Sequence, residues 1–233
     1  MNGKVVIITG TSRGIGKFLA EHYLDAGALV FGCSRSESAV AHPNYSHFEI
    51  DVCDEKSVTR MVRSAGRRTG KIDALVNNAG IAAMNHIATT PLSQARRIFD
   101  TNFFGSFIFC RETAKLMGRS GGGAIVNFSS VAVPFNLEGE SAYAASKAAV
   151  ECFTRVCAGE FGGSGVRVNA VGATPVKTDL TKSVPKDKID ALLNRQAISR
   201  WGEFEDVANV VDFLIDDKSA FITGQVIYLG GVF

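Results

Sequence analysis

Long apolar runs are missing from this chain of 233 residues. A membrane span needs roughly 18–20 consecutive apolar residues. The run at residues 5–8, behind Met1-Asn2-Gly3-Lys4, is also too brief for a secretion signal, so we expect a cytosolic protein with no membrane partner. A charge excess is missing too. The 25 basic and 23 acidic residues leave +2, which gives no electrostatic footprint for nucleic acid. The five cysteines, Cys33, Cys53, Cys110, Cys152 and Cys157, form no CxxC pair and no disulfide framework. The four histidines, His22, His42, His47 and His86, form no HxxxH pair, so we expect reduced structural thiols and no metal. Linkers, solenoid-period repeats and low-complexity blocks are absent, and residues 1–233 are read as one domain.

What is present is an alternation of short β-branched runs with longer helical patterns. Strand, helix and strand are expected at 5–9, 14–26 and 29–33, then a strand at 48–50, a helix near 55–70 and a strand at 74–77. A long helix near 92–119, a strand at 124–129, a helix at 143–161 and strands at 166–171 and 226–229 follow, with short helices near 186–197 and 205–216. Such an order predicts an α/β fold, a doubly wound parallel sheet of Rossmann type with helices on both faces. The polar loop 174–185 lies past the carboxyl end of a strand, where ligands bind in such folds, and is read with the helix after it as a substrate lid over about residues 174–200.

Between the first strand and its helix stands Thr9-Gly10-Thr11-Ser12-Arg13-Gly14-Ile15-Gly16. Gly10 permits a tight turn, Gly14 a close approach to a pyrophosphate and Gly16 close helix–strand packing. Ser12, Arg13 and Ile15 complete a phosphate-binding turn at a helix N-terminus. About 20 residues on, where an NAD site usually carries a carboxylate, the chain reads Cys33-Ser34-Arg35. Loss of that carboxylate removes repulsion against a 2′-phosphate, and Arg35 with Arg13 can bracket one, so NADP(H) is the expected cofactor. Asp51-Val52, after the third strand, is assigned to the adenine, although Asp51 can equally cap the next helix.

Tyr143 and Lys147 are separated by one helical turn in Tyr143-Ala144-Ala145-Ser146-Lys147, downstream of Ser130. An ammonium beneath a phenol would draw its pKa from ~10 towards neutrality, making a usable proton donor and acceptor. Hydride transfer to a carbonyl needs such a group.

These residues resemble the short-chain dehydrogenase/reductase family over essentially the whole chain. Thr9 to Gly16 resembles its TGxxxGxG motif, Asn77-Asn78-Ala79-Gly80 its NNAG motif, and Ser130, Tyr143 and Lys147 its catalytic serine and YxxxK. The chain is most similar to 3-oxoacyl-acyl-carrier-protein reductases and related NADPH ketoreductases. It is less similar to the enoyl reductases, whose Tyr-to-Lys spacing is longer. The resemblance implies that Tyr143 is the acid/base, that Ser130 binds the substrate oxygen, and that Lys147 binds the nicotinamide ribose while lowering the tyrosine pKa. It further implies that Asn102 holds a relay water and that Asn78, Ala79, Gly80, Val176 and Thr178 contact the cofactor. A non-catalytic NADPH-binding sensor or scaffold is the alternative function.

Two departures stand out. Ala173-Thr174 replaces the family's usual Pro-Gly, at about 1 kcal/mol if the turn needs a positive φ, and Leu229 replaces a common aspartate. The pocket wall is expected to be apolar, from Ile81 to Met84, Val131 to Leu137 with Val133 and Phe135, and Leu180. The substrate is then a small ketone or alcohol. A carrier-protein-bound acyl group ranks lower, because Gly121-Gly122-Gly123 and Gly162-Gly163-Ser164 hold the places of landing arginines, leaving Arg119, Arg155 and Arg167 nearby. Phe99, Phe103, Phe104 and Phe107 crowd one helix, which fits a homotetramer, or a dimer, of the kind common in the family.

Overall fold

The computed structural model describes residues 1–182 and 184–232. Its strands are β1 (Val5–Thr9), β2 (Leu29–Ser34), β3 (Tyr45–Glu49), β4 (Ala74–Asn77), β5 (Gly123–Ser130), β6 (Val166–Ala173) and β7 (Val226–Tyr228). They form one parallel sheet in the order β3-β2-β1-β4-β5-β6-β7. The helices are α1 (Gly14–Asp25), α2 (Glu55–Thr69), α3 (Leu92–Phe99), α4 (Gly105–Met117), α5 (Ala132–Phe135), α6 (Ser141–Gly162), α7 (Lys186–Asn194) and α8 (Phe204–Ile215).

Successive residues of a strand point to opposite faces. In β1, Val5 and Ile7 pack under α2, α4 and α6 through Met61, Phe109 and Cys157, while Val6 and Ile8 pack under α1 and α8 through Leu19, Tyr23 and Val211. Both faces are covered, which is why the strands read as unbroken apolar runs. Edge strand β3 is the exception. It begins at Tyr45, earlier than expected, because its polar Ser46 and His47 hide a strand that pairs residue for residue with β2.

The long helix expected over 92–119 is interrupted. Asp100–Phe104 makes a π-helical turn between α3 and α4, with Gly105 N–H reaching the Asp100 carbonyl. The extra residue swings Asn102 inward, and such turns often mark functional sites. Among the described residues no helix is long and apolar enough to cross a membrane, and no cluster of three metal-ligating side chains occurs. Cys33, Cys110 and Cys157 are buried, whereas Cys53 and Cys152 are exposed and so do not serve as core thiols.

Candidate active site

The strand order reverses between β1 and β4, and the cleft expected at such a switch point opens there. It holds about 900 Å³ and is lined by Gly10, Ser12, Arg13, Gly14, Ile15, Ser34, Arg35, Asp51, Val52, Asn78, Ala79, Gly80 and Thr178. Gly10 and Gly14 have φ of 78° and 58°, conformations that side chains disfavour. A Cβ at Gly16 would lie 2.3 Å from the Gly10 carbonyl oxygen, so this glycine serves packing rather than the cleft. Asn78 Nδ2 donates to the Thr9 carbonyl and Ala79 N–H to Thr9 Oγ1, each at 2.9 Å, fastening the loop after β4 to β1.

Helix α1 starts beside this cleft with no side-chain cap and no acidic residue in its first turn. Its leading N–H groups are therefore free for an anion, as a pyrophosphate requires. These residues fit a dinucleotide.

At the ribose end the picture is mixed. Arg35 is exposed and has no ion-pair partner among the described residues, but Arg13 Nη1 lies 3.2 Å from Asp179 Oδ2 on the loop after β6. Ser34 lines the cleft, yet its hydroxyl is spent on the Ser36 carbonyl at 2.6 Å and faces His47 at 3.2 Å. Glu37, which the sequence reading did not weigh, lines the same cleft. Asp51 does not cap α2. Asp54 does so, accepting from Lys56 N–H at 3.1 Å, and the exposed Asp51 is left on the cleft wall.

Ser130, Tyr143 and Lys147 meet in a second cavity of about 390 Å³, within the range of small-molecule sites. Ile15, Asn78, Gly80, Ala82, Thr178 and Leu180 line both cavities, so the two are continuous. Ser130, at the end of β5, accepts from Ala132 N–H at 3.1 Å, which leaves its own proton to donate. Lys147 Nζ donates to the Phe128 carbonyl at 2.7 Å and lies 5.9 Å from the Tyr143 ring centre.

The expected lowering of the phenol by Lys147 is not what this arrangement produces. Burial pushes Tyr143 up to about 12, with the Glu140 carboxylate adding to the rise and the Ser130 hydroxyl opposing it. The same burial brings Lys147 down to about 8. Desolvation acts against both charged forms.

Asn102 is fully buried and its amide is committed. Oδ1 accepts from Ile81 N–H at 2.9 Å, and Nδ2 donates to the Ile81 carbonyl and to Ser146 Oγ, each at 3.0 Å. Ser146 in turn donates to the Tyr143 carbonyl at 2.7 Å. Both Nδ2 protons are used, so a relay water at Asn102 would be one that donates to an oxygen of the residue. The residue also pins the loop after β4 to the first turns of α6.

Sequence reasoning missed Glu151, one turn beyond Lys147. This buried carboxylate accepts from Ser129 Oγ and Tyr228 Oη, both at 2.5 Å, and ties α6 to β5 and β7. A lone glutamate in a helix carries no sign of such a role until the strands are aligned.

The substrate cavity is less apolar than expected. Val131, Leu137, Met84, Ala82 and Leu180 line it, but so do Glu138, Glu140, Lys188 and Arg195. Phe135 is buried beneath Leu192 and Ile81 faces the cofactor cleft, so neither forms its wall. The segment expected as a lid supplies Thr174, Pro175, Val176, Leu180, Ile189 and Leu192. It is tethered by the pairing of Val176 with Gly202 and by Arg195 Nη2 donating to the Phe135 carbonyl at 2.8 Å.

The Ala173-Thr174 departure carries no backbone strain. Among the described residues Asn136 is the one non-glycine with positive φ. Thr174 is buried and donates to Gln196 Oε1. Leu229 packs against the core under α1 and α8.

The family described as enoyl-(acyl carrier protein) reductase matches residues 10–231. The 3-oxoacyl-(acyl-carrier-protein) reductases of Vibrio harveyi and Thermotoga maritima are each 32% identical, over 99% of this chain and 97% and 98% of theirs. Thermoplasma acidophilum aldohexose dehydrogenase superposes with a TM-score of 0.89 at 33% identity, covering 99% of this chain and 94% of that one. The chain belongs to the short-chain dehydrogenase/reductase family of nicotinamide-dependent oxidoreductases, and within it is similar to the 3-oxoacyl-(acyl-carrier-protein) reductases.

Proposed function

We propose that this protein reduces a ketone or 3-oxoacyl group to a secondary alcohol with NADP(H), Tyr143 acting as the general acid. The observation that carries the reading is the meeting of Ser130, Tyr143 and Lys147 in a cavity that opens into the dinucleotide cleft. A nicotinamide bound there supplies the hydride.

The chain's own residues supply the rest. The Ser130 hydroxyl, which faces the phenol, can turn its proton to the carbonyl oxygen, and a phenol at about 12 is protonated at neutral pH and ready to donate as that oxygen gains charge. Lys147, held by the Phe128 carbonyl, keeps two further donors for ribose hydroxyls. Enoyl reduction, which the family's description names, fits less well because Lys147 follows Tyr143 by only four positions.

NADP(H) is favoured over NAD(H) by Arg35 and Arg13 on the ribose end of the cleft, against which Glu37 and Asp179 count as opposing charge. A carrier-protein partner is less favoured. Arg167 donates to the Leu214, Ile215 and Asp216 carbonyls at the end of α8, which leaves Arg119 and Arg155 of the three candidates.

We assign the aromatic face of α4 and α6 to subunit contact in a homotetramer or dimer. Phe103 meets Phe153 edge-on and Phe107 meets it tilted, with ring centres 5.7 and 5.6 Å apart, and Phe104 and Val156 remain 50% and 52% exposed. The non-catalytic alternative would draw on the altered turn at Ala173-Thr174, which shows no positive φ. Without strain there it loses that support.

A panel of ketones and 3-oxoacyl thioesters, followed by loss of NADPH absorbance, tests the reading. Turnover of at least one class is expected. No turnover of either would overturn it.

A further inference from the structure

One carboxylate in the substrate cavity has no part in the reaction described above. Glu140 occupies the N-cap of α6, where a carboxylate ordinarily accepts from the helix's leading N–H groups, yet its side chain caps nothing. Among the described residues it has neither a salt bridge nor a side-chain hydrogen bond. It lies instead on the cavity wall with Ser130 and Tyr143, close enough for its charge to act on the phenol.

The segment that presents it is fixed on both sides. Asn85 N–H donates to the Gly139 carbonyl at 2.7 Å and Ala144 N–H to the Glu140 carbonyl at 2.7 Å. Gly139 holds φ at 81°, which side chains disfavour, and a Cβ there would press on Met84 Cγ at 3.1 Å. Among the described residues none of the cations on the wall, Lys147, Lys188 and Arg195, forms an ion pair with Glu140. Arg195 stacks on the Phe135 ring at 4.4 Å and bonds that residue's carbonyl, and Lys188 is exposed.

A half-buried carboxylate without donors keeps its bound water. A hydrocarbon placed against it would strip that water and return no hydrogen bond, whereas a hydroxyl would replace it. Glu140 stands just before the first turn of α6 and Tyr143 within it, and both line one cavity, so a substrate whose oxygen meets the phenol has its neighbouring carbons in the space that Glu140 borders.

We propose that Glu140 is a specificity-determining residue that selects carbonyl substrates bearing a hydroxyl within one or two carbons of the group reduced, over plain aliphatic ketones. The proposal rests on the reductase reading above and narrows its substrate class.

The test compares kcat/KM for 3-hydroxy-2-butanone and 2-butanone in the wild type, Glu140→Gln and Glu140→Leu. In parallel, calorimetric titration of 2,3-butanediol and 2-butanol into the cofactor-loaded protein reads binding without turnover. A preference for the hydroxylated ketone of order ten- to a hundredfold is expected in the wild type, the range for a hydrogen bond to a charged group. It should fall to about threefold or less in Glu140→Leu and be kept in part by Glu140→Gln, whose amide oxygen still accepts. An equal ratio in the wild type and Glu140→Leu would overturn the proposal. If no form reduces either ketone, the reductase reading for such substrates falls and the titration decides. A diol preference abolished by Glu140→Leu upholds the subsite, and equal affinity of the wild type for diol and mono-ol removes it.

Discussion

The methyl of Thr174 stands 2.6 Å from where a side chain on Gly202 would begin. Thr174 is the residue that departs from the family's usual glycine. Gly202, whose neighbour across the bridge is Val176, supplies the space that the added side chain takes. Substituting Gly202→Ala should therefore destabilise the protein by about 1–3 kcal/mol, the ordinary cost of overpacking. Thr174→Ser removes the obstructing methyl and keeps the hydroxyl, so the double variant should recover most of the loss in denaturant unfolding. Additive losses would show that the two residues do not share this space.

Asn102 gives a second prediction. Asn102→Ala leaves the half-buried Ile81 N–H and carbonyl without their partner, at about 1 kcal/mol each. Thermal unfolding should shift down and the reductase rate should fall with it, because the tie through Ser146 to the Tyr143 backbone is lost. A variant with native stability and activity would contradict this positioning role.

The pH dependence follows from Lys147. Its pKa is lowered, so the ammonium is present below about 8 and is lost above it. The Tyr143 phenol, raised to about 12, stays protonated throughout that range. The kcat/KM for ketone reduction should accordingly decline as pH rises through about 8, and Lys147→Arg, at a lower rate, should not show that decline. A flat wild-type profile from pH 7 to 10 would contradict the assignment.

Cofactor choice turns on Arg35. Arg35→Ala should weaken NADPH by about 1–3 kcal/mol, the worth of a charge-assisted hydrogen bond, while NADH affinity holds. Titration of both cofactors into both proteins reads this directly. Equal losses for the two would make Arg35 a bystander.

The glycine turn, the β4 loop and the Ser-Tyr-Lys set were legible in the sequence because each is a local pattern set in a strand-to-helix context. The sheet was legible for the same reason, as buried parallel strands must be apolar on both faces. Edge strand β3 was less clear, since one open side admits the polar Ser46 and His47. The π-helical turn at Asp100–Phe104 was hidden because one inserted residue barely disturbs a helical period. Glu140, Glu151 and the Thr174–Gly202 fit depend on residues distant in the chain. The direction of the Tyr143 shift was also out of reach, because spacing reports the nearby cation and not the burial that raises the phenol.

The most direct measurement is single-turnover NADPH oxidation with a reducible ketone, wild type beside Tyr143→Phe, with ketone binding followed in parallel. The account predicts that Tyr143→Phe binds the ketone and NADPH nearly as the wild type does but loses hydride transfer by two to four orders of magnitude, roughly the share of a general acid. Equal rates in the two proteins would contradict it.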